Sequence, residues 1–299
     1  MMNDPIANLI HLHEDGALSR RDVIQRLTKL TGSVVAALSA LESVGLGQAQ
    51  QPSCLTGVRV SETDPAVLSQ MLTLYGEGGP LFAYQSLPRD YASARRPAVL
   101  VIHENQGLTE HIKDVNRRVA KAGYVAIAVD LLSRQGGTAN YPDPQAAAAA
   151  YNRTTAPQRL QDMLSALYTI RDQVYVRRDR LGVVGFCAGG GSVYDLALNT
   201  DQLKAAVAFY GPPPAPDQLS TLNAPLLGLY AELDRNITGR AAGLVPALNT
   251  LNKTYELHIY EKANHAFHND TGPRYEPAAA CDAWSKTLAF FERHLNEAG

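Results

Sequence analysis

The sequence predicts an α/β fold: a mostly parallel central sheet flanked by helices, opened by an antiparallel hairpin and preceded by an extra helical segment. Three observations carry this. Short apolar runs alternate with stretches of helical period through most of the chain. The run 97–103 is apolar almost throughout, which suits a strand covered on both faces. A strand-like run ending at Phe186 passes directly into a helix-like stretch through Gly185-Phe186-Cys187-Ala188-Gly189. A turn that sharp needs small neighbours on both sides, because a Cβ there would clash.

The elements follow in order. Residues 71–75 and 81–85 read as strands joined by Gly76-Glu77-Gly78-Gly79, a hairpin signal. Strand 97–103 is followed by a helix over 111–122 with Gly123 as its stop. Strand 124–129 ends at Asp130, and residues 133–144, rich in Gly and Pro, read as loop. Leu160, Met163, Leu164, Leu167 and Ile170 share one face of a helix over 157–174. Then come strand 181–186, helix 189–198, strands 205–210 and 225–230, helix 239–251, strand 254–260 and a last helix around 278–295. Sites in such sheets form beyond the carboxyl ends of the strands.

The 299 residues, 45% hydrophobic and 19% charged with a net charge of −2, suit a globular chain and carry no basic excess for nucleic acid. No apolar run is long enough to predict a membrane span. Three dispersed cysteines, Cys54, Cys187 and Cys281, predict neither a disulfide framework nor a metal site. Residues 1–50 stand apart. Ser19-Arg20-Arg21-Asp22-Val23-Ile24 is similar to a twin-arginine export signal, but Lys29 and Glu42 interrupt the apolar stretch that should follow. Capping residues and the stripe Leu18, Val23, Ile24, Leu27, Leu30 favour a retained helical segment instead. The expected organisation is therefore helical segment or leader over 1–50, linker over 51–67 and α/β domain over 68–299. The expected location is the cytoplasm, with export by the leader as the alternative.

Cys187, raised on its turn, is the candidate nucleophile, with the amide of Ala188 at the helix start facing a developing oxyanion. A thiol needs a base. His265, just beyond a strand end, is the candidate, with His268 as its rival. Asp234, after strand 225–230 and between Cys187 and His265 in the chain, is the candidate to orient the imidazole, with Glu232 as the alternative. The loop His103-Glu104-Asn105-Gln106-Gly107 should supply the second oxyanion donor, the amide of Asn105. A carboxylate beside that donor opposes negative charge. Glu104 therefore either bonds the resting thiol and leaves when substrate binds, or is an exposed loop residue.

Together these motifs, with Gly123-Tyr124, Asp130-Leu131 and Ala263 to Phe267, resemble the dienelactone hydrolase (carboxymethylenebutenolidase) family of the α/β-hydrolase fold over about residues 68–296. The resemblance implies a Cys187–His265–Asp234 triad, Glu104 guarding the thiol, an oxyanion hole from Asn105 and Ala188, an acyl-enzyme, and no metal or organic cofactor. Familiar members hold a substrate carboxylate with arginines, one of them a few residues after the catalytic histidine. Here that stretch holds His268 and Asn269, which points away from a dienelactone. His268, Tyr141, Tyr151 and Arg134 are the candidate substrate contacts. The expected partner is a small ester or lactone, with no nucleic acid or membrane partner, for a monomer or small homo-oligomer. A non-catalytic binding or scaffold protein, and a thioesterase or peptidase on the same fold, are the alternatives.

Overall fold

Alternation along one strand divides the core in two. In the computed structural model, which describes residues 59–141 and 143–296 together with Arg26, β3 (Arg96–Ile102) sends Ala98, Leu100 and Ile102 to one face of the sheet and Val99 and Val101 to the other. All five are fully or almost fully buried. The sheet has eight strands in the order β1-β2-β4-β3-β5-β6-β7-β8. β1 (Val67–Gly76) and β2 (Gly79–Pro88) form the antiparallel hairpin, and β2 pairs antiparallel with β4 (Val125–Val129). From β4 onward every pairing is parallel, through β3, β5 (Val176–Phe186), β6 (Leu203–Phe209), β7 (Leu226–Ala231) and β8 (Tyr255–Tyr260).

Helices cover both faces. α1 (Glu110–Lys121) buries Ile112, Val115 and Val119 on the Val99/Val101 side. It ends at Gly123, whose φ of 102° only glycine adopts easily. On the opposite side lie α2 (Pro144–Arg153), α3 (Ala156–Arg171) and α4 (Ala188–Leu198), which contribute Tyr151, Met163, Leu167 and Val193 to the other cluster. α3 opens on a capping box between Thr155 and Gln158. α7 (Pro277–Phe291) packs Phe290 and Phe291 beside α1's face of the sheet.

Three points differ from the sequence reading. The loop expected over 133–144 runs into a helix that the sequence reading did not assign: Asp143 accepts a hydrogen bond from Gln145 N (2.9 Å), Pro144 fills the first turn, and the alanine run that follows is the strongest helix former, giving α2. The single helix expected over 239–251 is two, α5 (Arg235–Ala242) and α6 (Val245–Thr250). They are separated at Gly243-Leu244, and Pro246 has no N–H to continue the first ladder. Cys281, buried in α7, is disulfide-bonded, against the expectation of no disulfide. Cys187 is the free thiol among the described residues. By internal packing the chain falls into units Met1–Leu55 and Thr56–Gly299. The helical segment or leader expected over 1–50 lies outside the described residues except for Arg26, which is helical and exposed. Among the described residues no helix is long and apolar enough to cross a membrane.

Candidate active site

The parallel strands bring the loops after β3, β5, β6, β7 and β8 to one edge of the sheet, and the expected residues lie there. Cys187 follows β5 directly and is the residue before α4, with φ 55° and ψ −119°, a region few side chains adopt. Its N–H donates to Phe209 O (3.0 Å), and its carbonyl accepts from Gly191 N (3.2 Å). The neighbours are glycine for a steric reason. A Cβ on Gly185 would collide with the carbonyl of Gly189, and one on Gly189 with the carbonyls of Ile102 and His103. The start of α4 thus lies backbone against backbone on the end of β3.

His265 Nδ1–H donates to Asp234 Oδ2 (2.6 Å), leaving Nε2 as the acceptor nitrogen. Asp234 stands at the start of α5, two residues beyond the loop position of Glu232. Glu232 instead accepts from Lys262 N (2.8 Å), pinning the turn that leads to His265. The ring of Tyr210, at the end of β6, packs against the imidazole with centroids 5.1 Å apart. Tyr210 is fully buried, and its hydroxyl has no partner among the described residues.

The loop after β3 is held by a buried histidine. His103 Nε2 accepts from Leu131 N (2.9 Å), so Nδ1 carries the proton and donates to Glu104 O (2.5 Å). Burial pushes this imidazole below its ordinary value, which keeps it neutral in that tautomer. Asp130 binds the N–H and hydroxyl of Thr138 (2.7 and 2.8 Å), and the same hydroxyl accepts from Leu108 N (2.8 Å). Asn105 is therefore presented from a braced loop.

Backbone N–H groups of Ala188 and Asn105 both act on the Cys187 sulfur in the direction that favours its charged form. They do not prevail in the resting protein. Burial, and next the charge of Glu104, push the thiol up to about 11, with Arg274 acting in the opposite direction. Glu104 is 6% exposed and so is not a solvated loop residue; its Oε2 accepts from Asn269 Nδ2 (2.8 Å).

Cys187, His265, Glu104 and Asn105 line one cavity of about 470 Å³, together with Asn269 and Arg274. The four residues expected to contact substrate do not line it. His268 is 2% exposed and sits among Phe186, Phe209 and Trp284 (centroids 4.9–5.6 Å); burial holds it well below its ordinary value, hence neutral. Tyr151 is buried between the guanidinium of Arg159 (4.8 Å) and His103 (6.0 Å). Tyr141 donates to Gln135 O (3.3 Å). Arg134 pairs with Asp162 (2.8 and 2.9 Å) on α3. The sequence reading missed the roles of Asn269 and Arg274. Among the described residues Arg274 has no ion-pair partner within bridging distance, although it is exposed on the cavity wall. Its place after Gly272-Pro273 carries no signal that would have set it apart from other arginines.

Comparison with known proteins adds a separate line of observation. The family model described as "Dienelactone hydrolase family" matches residues 82–295. A protein of Escherichia coli O157:H7 named "Putative carboxymethylenebutenolidase" is 34% identical over 261 residues, covering 83% of this chain and 95% of that protein. A Bradyrhizobium sp. protein named "Probable 2-oxo-3-(5-oxofuran-2-ylidene)propanoate lactonase" is 33% identical over 223 residues, 70% of this chain and 88% of its own length. Among solved structures, the "Putative Dienelactone Hydrolase" from Klebsiella pneumoniae subsp. pneumoniae MGH 78578 matches with a TM-score of 0.70 at 33% identity, over 76% of this chain and 99% of that one.

Proposed function

The chain belongs to the dienelactone hydrolase family and has the α/β-hydrolase fold, and on that premise we propose that it hydrolyses small lactones or carboxylic esters through an acyl-enzyme on Cys187. The observation that supports this most is the pair of backbone N–H groups, from Ala188 and Asn105, that converge on the sulfur of a cysteine held at positive φ. Donors fixed in the backbone need no reorganisation when charge develops on a carbonyl oxygen beside the sulfur.

With the thiol pushed up to about 11, only about one molecule in 10⁴ carries the thiolate at pH 7, so the resting sulfur is not the nucleophile by itself. His265 Nε2 takes the S–H proton as the sulfur bonds the substrate carbonyl carbon, and Asp234 stabilises the imidazolium. The carbonyl oxygen becomes the oxyanion held by Asn105 and Ala188. Collapse breaks the C–O bond and the leaving alkoxide takes the proton from His265. In a lactone that alcohol stays tethered to the acyl group. Water, giving a proton to Nε2, then attacks the thioester carbon, and the thiol leaves with that proton as the carboxylic acid is released. Glu104, whose charge favours the protonated sulfur, keeps the thiol closed until substrate arrives.

Rapid quenching during turnover of p-nitrophenyl acetate tests this directly. Mass analysis should find one acetyl group on the peptide holding Cys187, together with a burst of p-nitrophenol. Acetyl groups elsewhere, or none with a linear onset, would end the acyl-enzyme reading.

Arg274 narrows the substrate. The name of the Bradyrhizobium relative describes a lactone that carries a propanoate group, and Arg274 offers a cation at the wall of this cavity. A charge-assisted hydrogen bond from a group this exposed is worth about 1 kcal/mol, so Arg274→Ala should raise KM about fivefold for an ester carrying a free carboxylate. KM for neutral p-nitrophenyl acetate should not change, and equal shifts for both substrates would remove the carboxylate from the assignment.

A further inference from the structure

The carboxylate of Glu104 has two donors to choose between in the same cavity. One is the thiol of Cys187. The other is Asn269 Nδ2, which bonds Glu104 Oε2 at 2.8 Å. An amide can present either end, and here the end is fixed. Asn269 Oδ1 accepts from both Thr271 N (3.0 Å) and Thr271 Oγ1 (2.6 Å), so Nδ2 must face Glu104. The next residue anchors the loop. Asp270 accepts from His111 Nδ1 (3.2 Å), Arg118 (2.8 Å) and Arg59 (3.1 Å), tying the loop to α1 and to the chain before β1. Burial works against its ionisation, but these partners outweigh it and hold the carboxyl below its ordinary range. Asn269 is thus a donor in a fixed orientation on a fixed loop.

We propose that Asn269 is a positioning residue that competes with the Cys187 thiol for the Glu104 carboxylate, and that Thr271 sets which end of its amide does so. Asn269 takes only Oε2, so its bond draws off part of the charge that Glu104 would otherwise put on the S–H, without releasing the thiol. Without that bond, the carboxylate is buried and short of a donor, and the thiol is the donor that faces the same cavity. Loss of Asn269 therefore closes the thiol more tightly. This rests on Cys187 as the nucleophile. The other charged or titratable groups near Cys187 and Glu104 are His103 after β3, His265 from the loop after β8, Arg274 beyond it, Tyr210 at the end of β6 and Tyr151 on α2. None of these is altered by the variants below.

The rate of alkylation of Cys187 by iodoacetamide, followed against pH in the full chain, tests the proposal. In Asn269→Ala the curve should move up by about one pH unit, a rate about tenfold lower at pH 8. Thr271→Val should move it the same way by less, because Thr271 N remains. In Glu104→Gln the Asn269→Ala change should have no further effect, since it acts only through the carboxylate. A curve in Asn269→Ala that coincides with the parent or moves down, or effects that add in the double variant, overturns the proposal. Should Asn269→Ala unfold, Thr271→Val in the presence and absence of Glu104→Gln decides the matter alone. Alkylation reads the thiol whether or not ester is turned over. If Cys187→Ala still hydrolyses ester, the nucleophile reading fails, while the alkylation curves still judge Asn269.

Discussion

Cys187→Ala should lower the rate of p-nitrophenyl acetate hydrolysis by at least about a thousandfold, since removing a nucleophile leaves only the oxyanion donors and binding to act on the ester. The substitution should leave the fold in place. Alanine removes one half-buried sulfur, and the strained backbone is held by Phe209 O and Gly191 N, not by the side chain. Circular dichroism and a thermal melt should match the parent. Turnover within a factor of two of the parent would mean that another group attacks, and the acyl-enzyme reading would fall with it.

Asp234→Asn is expected to cost about 10³- to 10⁴-fold at pH 7, although it replaces a single oxygen of a carboxylate bonded, at 2.6 Å, to a ring that is not itself the nucleophile. The carboxylate accepts from Nδ1–H and leaves Nε2 free to take the thiol proton. An amide offers a donor in the same place, which favours the tautomer with hydrogen on Nε2, and that tautomer cannot act as the base. The imidazolium also loses its counter-charge. The loss should shrink as pH rises. The thiol is pushed up to about 11, so hydroxide forms the thiolate without the base as pH approaches that value. A pH–rate profile of both proteins from pH 7 to 10.5 checks this. A constant ratio across that range would show that Asp234 does something other than set the tautomer.

Some of this site was legible because its logic is local or ordinal. Gly185-x-Cys187-x-Gly189 is a steric statement about a strand-to-helix turn, and the backbone contacts of Gly185 and Gly189 are its cause. Asp234 and His265 were found from strand ends and chain order, which topology preserves. What depended on the path of a loop was not legible. Asn269 matters because Thr271 turns its amide, and Arg274 because the loop folds back over the cavity. Tyr151 and His268 had the chemistry of pocket residues but are buried away from the cavity, Tyr151 between Arg159 and His103 and His268 among aromatic rings. Arg134 was taken up by Asp162, a partner on α3. Within the fold, α2 was missed because the alanines at 146–150 name no face to bury, although Asp143-Pro144 marks its start, and the break between α5 and α6 because Gly243 and Pro246 interrupt a stretch that otherwise reads as one helix.

The contact of Gly189 with the end of β3 divides this protein into parts that can change and parts that cannot. The two proposed oxyanion donors belong to residues on either side of that contact, one at the head of α4 and one in the loop leaving β3. Their spacing is set by that main-chain contact and by the His103, Asp130 and Thr138 bonds that brace the loop, and since none of those three residues lines the cavity, no side-chain replacement in the cavity reaches it. Asn269, Thr271 and Arg274 are side chains on a different loop, which meets that junction through the bond from Asn269 to Glu104. A lineage of such proteins, or a designer, could exchange Arg274 to suit new esters while the bond-breaking apparatus is inherited unchanged.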